Sequence, residues 1–402
     1  MDKPLEGIRV IEVAMWAYVP SAGGVLADWG AEVVKIEAPT GDPIRGLVSS
    51  GIGKTQGITY PWENFNRGKR GMALDLKEPV AQKIVHQLAE SADVFLTSLL
   101  PRARKKLAID HDDIRSVNPQ IVYAVGSGQG ARGDEADKGG YDSITFWSRG
   151  SVSASVTPPG SPPLGMPAGA FGDSLSGVAL AGGIAAALAR KAKTGEGSLV
   201  DGSLLGTAMW SMQMAIVGAA VAGVEELPKM NRTVMANPLV NNYETKDGRW
   251  VALCMLQPDV YWAPLCSAIG RVDLIDDERF ATMDVRAQHA EECIAELDKT
   301  FVARTLDEWK PVLASQPGQW DVVNRVSDVA VDPQALANGF VQTVDYGGDR
   351  ELPLIANPVQ FDRTPPHLRP APEFGADTDD ILQSLGWDWD AIIEAKASGA
   401  VI

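Results

Sequence analysis

Near its start the chain carries a mainly apolar segment, Gly7 to Val13, interrupted by Arg9 and Glu12, which predicts a short buried strand. Small and apolar residues from Ser21 to Trp29 follow with helical character, stopping at Gly30, and Glu32 to Glu37 reads as a second strand. A strand, a helix and a strand within about 30 residues make a βαβ unit, which implies a parallel sheet. The alternation continues: Met72 to Leu76 predicts a third strand, Pro79 to Ala92 a helix, Asp93 to Leu96 a fourth strand, Arg102 to Leu107 a short basic helix, and Ile121 to Val125 a fifth strand. The predicted fold class is therefore α/β, with an open, Rossmann-like sheet.

Gly126 to Gly140 reads as a loop rich in glycine and charge, and Ser151 to Ala170 carries no period. Asp173 then opens a long helix of small residues reaching about Ala192; Thr194 to Gly197 is a turn, and Leu199 to Ser203 a strand. From about Asn237 the texture changes. Tyr243 to Thr245 and Trp250 to Leu253 flank an Asp247-Gly248 turn as a β-hairpin, and helical segments run from Tyr261 to about Ser315. This predicts a smaller α+β domain over 230–330, after a large domain over 1–205. Segments 206–229 and 331–350 are read as linkers. Proline-rich stretches at 352–358 and 364–372 lead to a short helical tail. The longest apolar stretches, 177–188 and 214–224, fall short of the roughly 20 residues a bilayer span needs and predict buried helices.

A net charge of −16 argues against nucleic acid as the main partner, since phosphate contacts demand a basic face, although a local Lys/Arg cluster can still hold an anionic ligand. Three cysteines and four scattered histidines form neither a disulfide framework nor a zinc pattern, so no metal is expected. The N-terminus lacks the basic and apolar regions of a signal peptide, and the expected location is the cytoplasm, with no membrane partner.

Gly172-Asp173-Ser174 is the most informative window. An aspartate there is either an ordinary helix N-cap or a reactive carboxylate beside a glycine that lets substrate approach. In Gly139-Gly140-Tyr141-Asp142 the glycines bring backbone close to a ligand and Tyr141 is placed to donate to a developing oxyanion; the alternative is a loop-to-helix junction. Arg102, Arg104, Lys105 and Lys106, with Lys138, form either a phosphate site or solvated faces. Trp16, Trp147 and Trp210 read as core more readily than as ligand platforms. The first strand-to-helix turn lacks G-x-G-x-x-G, which argues against a dinucleotide-dependent dehydrogenase.

Six segments, taken in order, resemble the class III CoA-transferases, a family that includes formyl-CoA transferase, carnitine CoA-transferase and α-methylacyl-CoA racemase. They are Leu5 to Val13, Leu26 to Glu37, Asn66 to Lys77, Gly172 to Ser174, Lys193 to Gly197, and Asn237-Pro238-Leu239 followed by Tyr243 and Asp247 to Trp250. The resemblance implies an interlocked homodimer of ring-like subunits, each with a Rossmann-like large domain completed by residues 335–402. Acyl-CoA and a carboxylic acid would be the substrates, coenzyme A lying on the large domain and the thioester reaching a cleft shared with the small one, with no tightly bound cofactor.

The resemblance also makes Asp173 the nucleophile, with Gly140 and Tyr141 beside it. Lys35, Arg102, Arg104, Lys138, Gly139, Ala17 and Leu74 become contacts for the substrate. Racemases of the family carry a His-Asp pair where this chain has Tyr141-Asp142, and a Glu where it has Gln257; without an acid and a base flanking the α-carbon, CoA transfer is the expected activity. The alternatives are a racemase that recruits Tyr141 or Asp142 and a CoA-binding protein without catalysis. An aspartate nucleophile with an ordinary pKa of about 3.9 predicts activity down to mildly acid pH unless burial raises it; loss of rate near 6.5 would mark a histidine base.

Overall fold

The computed structural model describes residues 3–48, 51 and 54–402, which divide into two compact units, 1–227 with 333–402 and 228–332. In the larger unit, β1 (Arg9–Val13), α1 (Tyr18–Asp28) and β2 (Glu32–Glu37) form the expected βαβ unit. They are followed by α2 (Tyr60–Asn66), β3 (Arg70–Ala73), α3 (Pro79–Glu90), β4 (Val94–Thr97), α4 (Pro101–Lys106), α5 (His111–Val117) and β5 (Val122–Ser127). A short π-helix at Asp142–Arg149 and α6 (Val152–Val156) precede α7 (Phe171–Thr194), β6 (Ser198–Ser203), α8 (Leu204–Ser211) and α9 (Gln213–Ala222).

The six strands form one parallel sheet in the order β3-β2-β1-β4-β5-β6. Its strands are apolar on both faces because helices cover both. Ile11, Ile36, Met72, Phe95 and Tyr123 pack with α3 on one side, and Val10, Val33, Leu96 and Val122 pack with α1 and α7 on the other. The order reverses at β1 and β4, the switch point where open α/β sheets place ligands beyond the carboxyl ends of their strands.

Two sequence expectations change. Residues 214–224 are not a buried helix: α9 has no buried residue, and Met214 and Val221 are each 84% exposed. Its small-residue composition resembled a core helix, but apolarity all round the helix does not say what covers it. Residues 206–222, within the segment read as a linker, carry α8 and α9 in the larger unit. Among the described residues α7 alone is long and apolar enough to cross a membrane, and α8 with α9 would count as a second only across a 67° bend; α7 packs on α1 and the sheet, and its Leu180, Ala181 and Ile184 are covered.

The smaller unit carries β7 (Val240–Glu244) and β8 (Trp250–Cys254) as the expected hairpin around Gly248, which holds φ +68°, then α10 (Pro258–Ala268), α11 (Met283–Gln288), α12 (Ala290–Phe301), α13 (Leu306–Ala314), β9 (Trp320–Val322) and α14 (Val326–Val329). Leu253, Trp262, Leu265, Phe301 and Trp309 make its separate core.

The chain returns to the larger unit with α15 (Pro333–Ala337), β10 (Val341–Asp345), β11 (Glu351–Ile355), α16 (Thr378–Ser384) and α17 (Trp389–Ala397). The proline-rich stretch at 352–358 enters the β10–β11 hairpin: Pro353 lies in a two-stranded sheet, where an edge position tolerates a residue without an N–H. Segment 371–401 borders β3. Asp377 accepts the Gly71 N–H at 2.7 Å, Leu74 bridges Val401, and the Asp75 N–H donates to Ala400 O at 3.0 Å.

Candidate active site

Asp173 lies in the first turn of α7, shortly after Ala170, which holds φ +61° and serves as a cap position without a side-chain bond. The helix-capping carboxylate is Asp142, not Asp173: its Oδ2 accepts the N–H groups of Gly172 at 2.9 Å and Asp173 at 3.4 Å. This excludes the reading of Asp173 as an N-cap. Its carboxylate has no hydrogen bond or ion pair among the described residues. The close fit depends on Gly172, where a Cβ would meet the Phe146 ring at 2.2 Å and Asp142 Oδ1 at 2.5 Å.

Burial first, and the neighbouring Asp142 second, push the Asp173 carboxyl up to about 7. Burial also raises Asp142, against the two backbone donors that favour its charged form. Two carboxylates held in one weakly solvated corner cannot both ionise freely, as in paired-carboxylate sites generally.

Asp173 faces a cavity of about 410 Å³, lined also by Trp16, Tyr18, Leu99, Gly139, Gly140 and Tyr141. The cavity opens at the carboxyl ends of β1, β4 and β5, the switch point of the sheet. Gly128 and Gly140 approach so closely that a Cβ on Gly128 would lie 2.7 Å from the Cα of Gly140, so neither position accepts a side chain without movement. The N–H groups of Gly139, Gly140 and Tyr141 bind no acceptor among the described residues. Tyr141 is 58% exposed and meets Trp16 edge to face, with centroids 6.0 Å apart. Among the described residues no histidine lines the cavity. A second cavity of about 210 Å³ is lined by Leu74, Leu76, Lys77 and Leu107 and shares Met15, Leu99 and Ala103 with the first.

The expected site residues separate into those the cavities gather and those they do not. Asp173, Gly139, Gly140, Tyr141 and Arg104 line the first cavity, and Leu74 the second. Arg104 is already engaged, donating to Asp110 Oδ1 and Leu99 O, each at 2.9 Å. Arg102 is exposed, with no ion pair among the described residues, but lines neither cavity.

Lys138 is spent on Glu135, at 2.6 Å. Ala17 packs with Ile44, Trp62 and Phe65, while its neighbours Trp16 and Tyr18 line the cavity. Lys35 is fully buried: it pairs with Asp42 at 2.9 Å and Glu12 at 3.2 Å and donates to Ala14 O at 2.7 Å, so it presents no charge to a ligand. Asp42 in turn accepts the Trp16 N–H at 3.1 Å, and Trp16 holds φ +68°. Lys35 thus braces the loop that carries Trp16. Among the lining residues not singled out as site residues from sequence are Tyr18, Asp201 and Lys77. Lys77 ends the Asn66–Lys77 segment already used for the resemblance and was the one within reach.

The profile of CoA-transferase family III matches residues 5–378. The chain belongs to CoA-transferase family III.

Among characterised relatives of this CoA-transferase, (R)-2-hydroxy-4-methylpentanoate CoA-transferase of Clostridioides difficile is 34% identical over 401 residues, covering 99% of each chain. Cinnamoyl-CoA:phenyllactate CoA-transferase of Clostridium sporogenes is 32% identical over 395 residues, covering 97% of this chain and 95% of its own. The crystal structure of a CaiB/BaiF family protein from Brucella suis superposes with a TM-score of 0.84 at 25% identity, covering 96% of this chain and all of that one. A cavity at the switch point, with a partnerless carboxylate and free backbone N–H groups, is in keeping with an enzyme that acts on acyl-CoA thioesters and carboxylic acids.

Proposed function

We propose that this enzyme transfers CoA from an acyl-CoA to a monocarboxylic acid bearing an apolar side chain, through a covalent intermediate on Asp173. The observation that carries the reading is the Asp173 carboxylate itself, partnerless in the cavity while Asp142 does the work of capping the helix. In the first step an Asp173 oxygen attacks the donor carbonyl carbon and the carbon–sulfur bond breaks, giving a mixed anhydride and CoA thiolate. The thiolate attacks the aspartyl carbonyl, the anhydride bond breaks, and the donor acid leaves as a carboxylate. The acceptor carboxylate then attacks the aspartyl thioester and the two steps run in reverse. No proton or thioester energy is lost to water, so no ATP is consumed. The free N–H groups of Gly139, Gly140 and Tyr141 are suited to the oxygen that gains charge in each addition.

The two joined cavities support a path for coenzyme A, with its nucleotide end near Leu74 and Lys77 and its thioester at Asp173. The acid class rests on charge. The cation lining the first cavity, Arg104, is held by Asp110, and Asp201 adds a second acid, leaving nothing among the described residues that line the first cavity to balance a further carboxylate on the substrate. The two relatives named above, whose names specify a 2-hydroxy acid and phenyllactate, fit such a class. The apolar, exposed α9 supports a homodimer, and a cytoplasmic location is in keeping with substrates of this kind.

The test is an intact mass after mixing with a panel of acyl-CoA donors. The reading expects a CoA-sized adduct that hydroxylamine removes and that Asp173→Ala cannot form. Absence of any adduct, with solvent deuterium entering the α-carbon and no acceptor needed, would replace it with racemisation.

A further inference from the structure

Tyr18 is a phenol with nothing to bind. The residue is only 8% exposed, and its hydroxyl has no hydrogen-bond partner among the described residues. A buried hydroxyl without a partner costs about 1–3 kcal/mol, so its retention calls for a partner that arrives later. The ring lines the Asp173 cavity and sits in a slot cut for it. Gly126 on β5 and Gly202 on β6 are directly paired in register. A Cβ on Gly126 would lie 2.9 Å from the Tyr18 ring, and one on Gly202 would lie 2.5 Å from its hydroxyl oxygen. Two strand glycines side by side weaken a sheet, and here they make the floor on which the phenol lies.

On the proposed aspartyl chemistry, we infer that Tyr18 is a further catalytic residue, donating its O–H to the acyl oxygen that becomes negative when the Asp173 carboxylate adds to the thioester carbonyl. As the new carbon–oxygen bond forms, the carbonyl electron pair moves onto that oxygen; when the adduct collapses, the pair returns and the thiolate leaves. Tyr18 keeps its proton throughout. Burial, and the charge of Asp173, hold the phenol well above its usual range, so it serves as a neutral donor and not as an acid or base. A donor fixed in a dry site needs no reorganisation as charge develops, which is where such a bond is worth most.

The experiment is single-turnover formation of the hydroxylamine-sensitive adduct by wild type and Tyr18→Phe, with a matched pair of donors, a 2-hydroxyacyl-CoA and its deoxy counterpart. The expected result is a loss of about 100-fold in rate on both donors, with KM changed less than about twofold. Gly202→Ala, whose methyl displaces the hydroxyl, should reproduce the loss in wild type and add nothing in the Tyr18→Phe background. Wild-type rates in Tyr18→Phe would overturn the inference, and so would a loss confined to the hydroxyacyl donor, which would move the bond to the α-hydroxyl. Neither result touches the aspartyl reading, which stands on whether Asp173→Ala abolishes the adduct.

Discussion

Asp142 reaches across 31 positions of sequence to accept the backbone N–H of Asp173, so one carboxylate fixes the peptide that carries the other. The same approach brings their charges together, and the pair resists double ionisation.

Asp173 must be ionised to attack, and its carboxyl is raised to about 7, so the rate of adduct formation should fall as pH drops through that value. The expectation of activity in mild acid therefore gives way to burial. A midpoint near neutrality no longer marks a histidine base, because Asp173 titrates in the same range. Asp142→Asn separates the two: it keeps an acceptor for the helix end but removes the charge, and the midpoint should move to lower pH. An unmoved midpoint would mean that another group controls the rate.

Asp173→Asn should lose about 10⁴-fold or more in transfer rate while gaining thermal stability. Below its unfolded pKa of about 3.8 the carboxyl is protonated in both states and the substitution changes little. Between that value and about 7 the unfolded chain releases a proton that the folded one keeps, so wild type loses stability as pH rises. The Tm advantage of Asp173→Asn should accordingly be larger at about pH 8 than at about pH 4, as measured by differential scanning calorimetry.

Lys35→Ala would leave Glu12 and Asp42 buried without their shared cation, at a cost of about 3–5 kcal/mol. Burial alone would pull the Lys35 ammonium down, but Glu12 and Asp42 outweigh it and hold it charged. A chemical denaturation midpoint should drop steeply. A phosphate contact would behave otherwise, raising KM for acyl-CoA with the midpoint unchanged.

Lys77→Ala should raise KM for acyl-CoA about fivefold with kcat unchanged, since an exposed ion contact is worth up to about 1 kcal/mol. The effect should shrink with added salt. A fall in kcat at constant KM would remove Lys77 from the proposed nucleotide end of the substrate.

Gly172→Ala puts a methyl into the Phe146 ring and onto Asp142 Oδ1, and should destabilise the fold by about 1–3 kcal/mol. Because it dislodges the capping carboxylate, it should also slow the adduct step. Equal loss from Ser174→Ala, which adds no such contact, would show the effect to be unspecific.

The sheet was legible because its strands are short, apolar and separated by helices of the right length; each expected strand from Gly7 to Ser203 lies within a few residues of its place. Asp173 was legible as a carboxylate at a helix entrance, but its rivalry with Asp142 for the cap is a contact between distant segments that no local pattern encodes. Lys35 illustrates the opposite failure. A lysine inside an apolar strand looks like a ligand contact, and only the fold reveals two buried acids around it. Tyr18 left no signal at all, since the glycines that seat it lie on β5 and β6, far along the chain.

The border of β3 is supplied by a segment 306 residues further along the chain, where Asp377 meets Gly71. During synthesis β3 is therefore a bare sheet edge until the whole of 228–332 and most of the C-terminal segment have been translated, at roughly 5–20 residues per second. Closing so long a loop is slow, and the waiting edge is an invitation to pair with another chain. The larger unit should depend on chaperones in the cell more than its ordinary sheet suggests, and the yield of soluble protein should respond to growth temperature before any change in activity is seen.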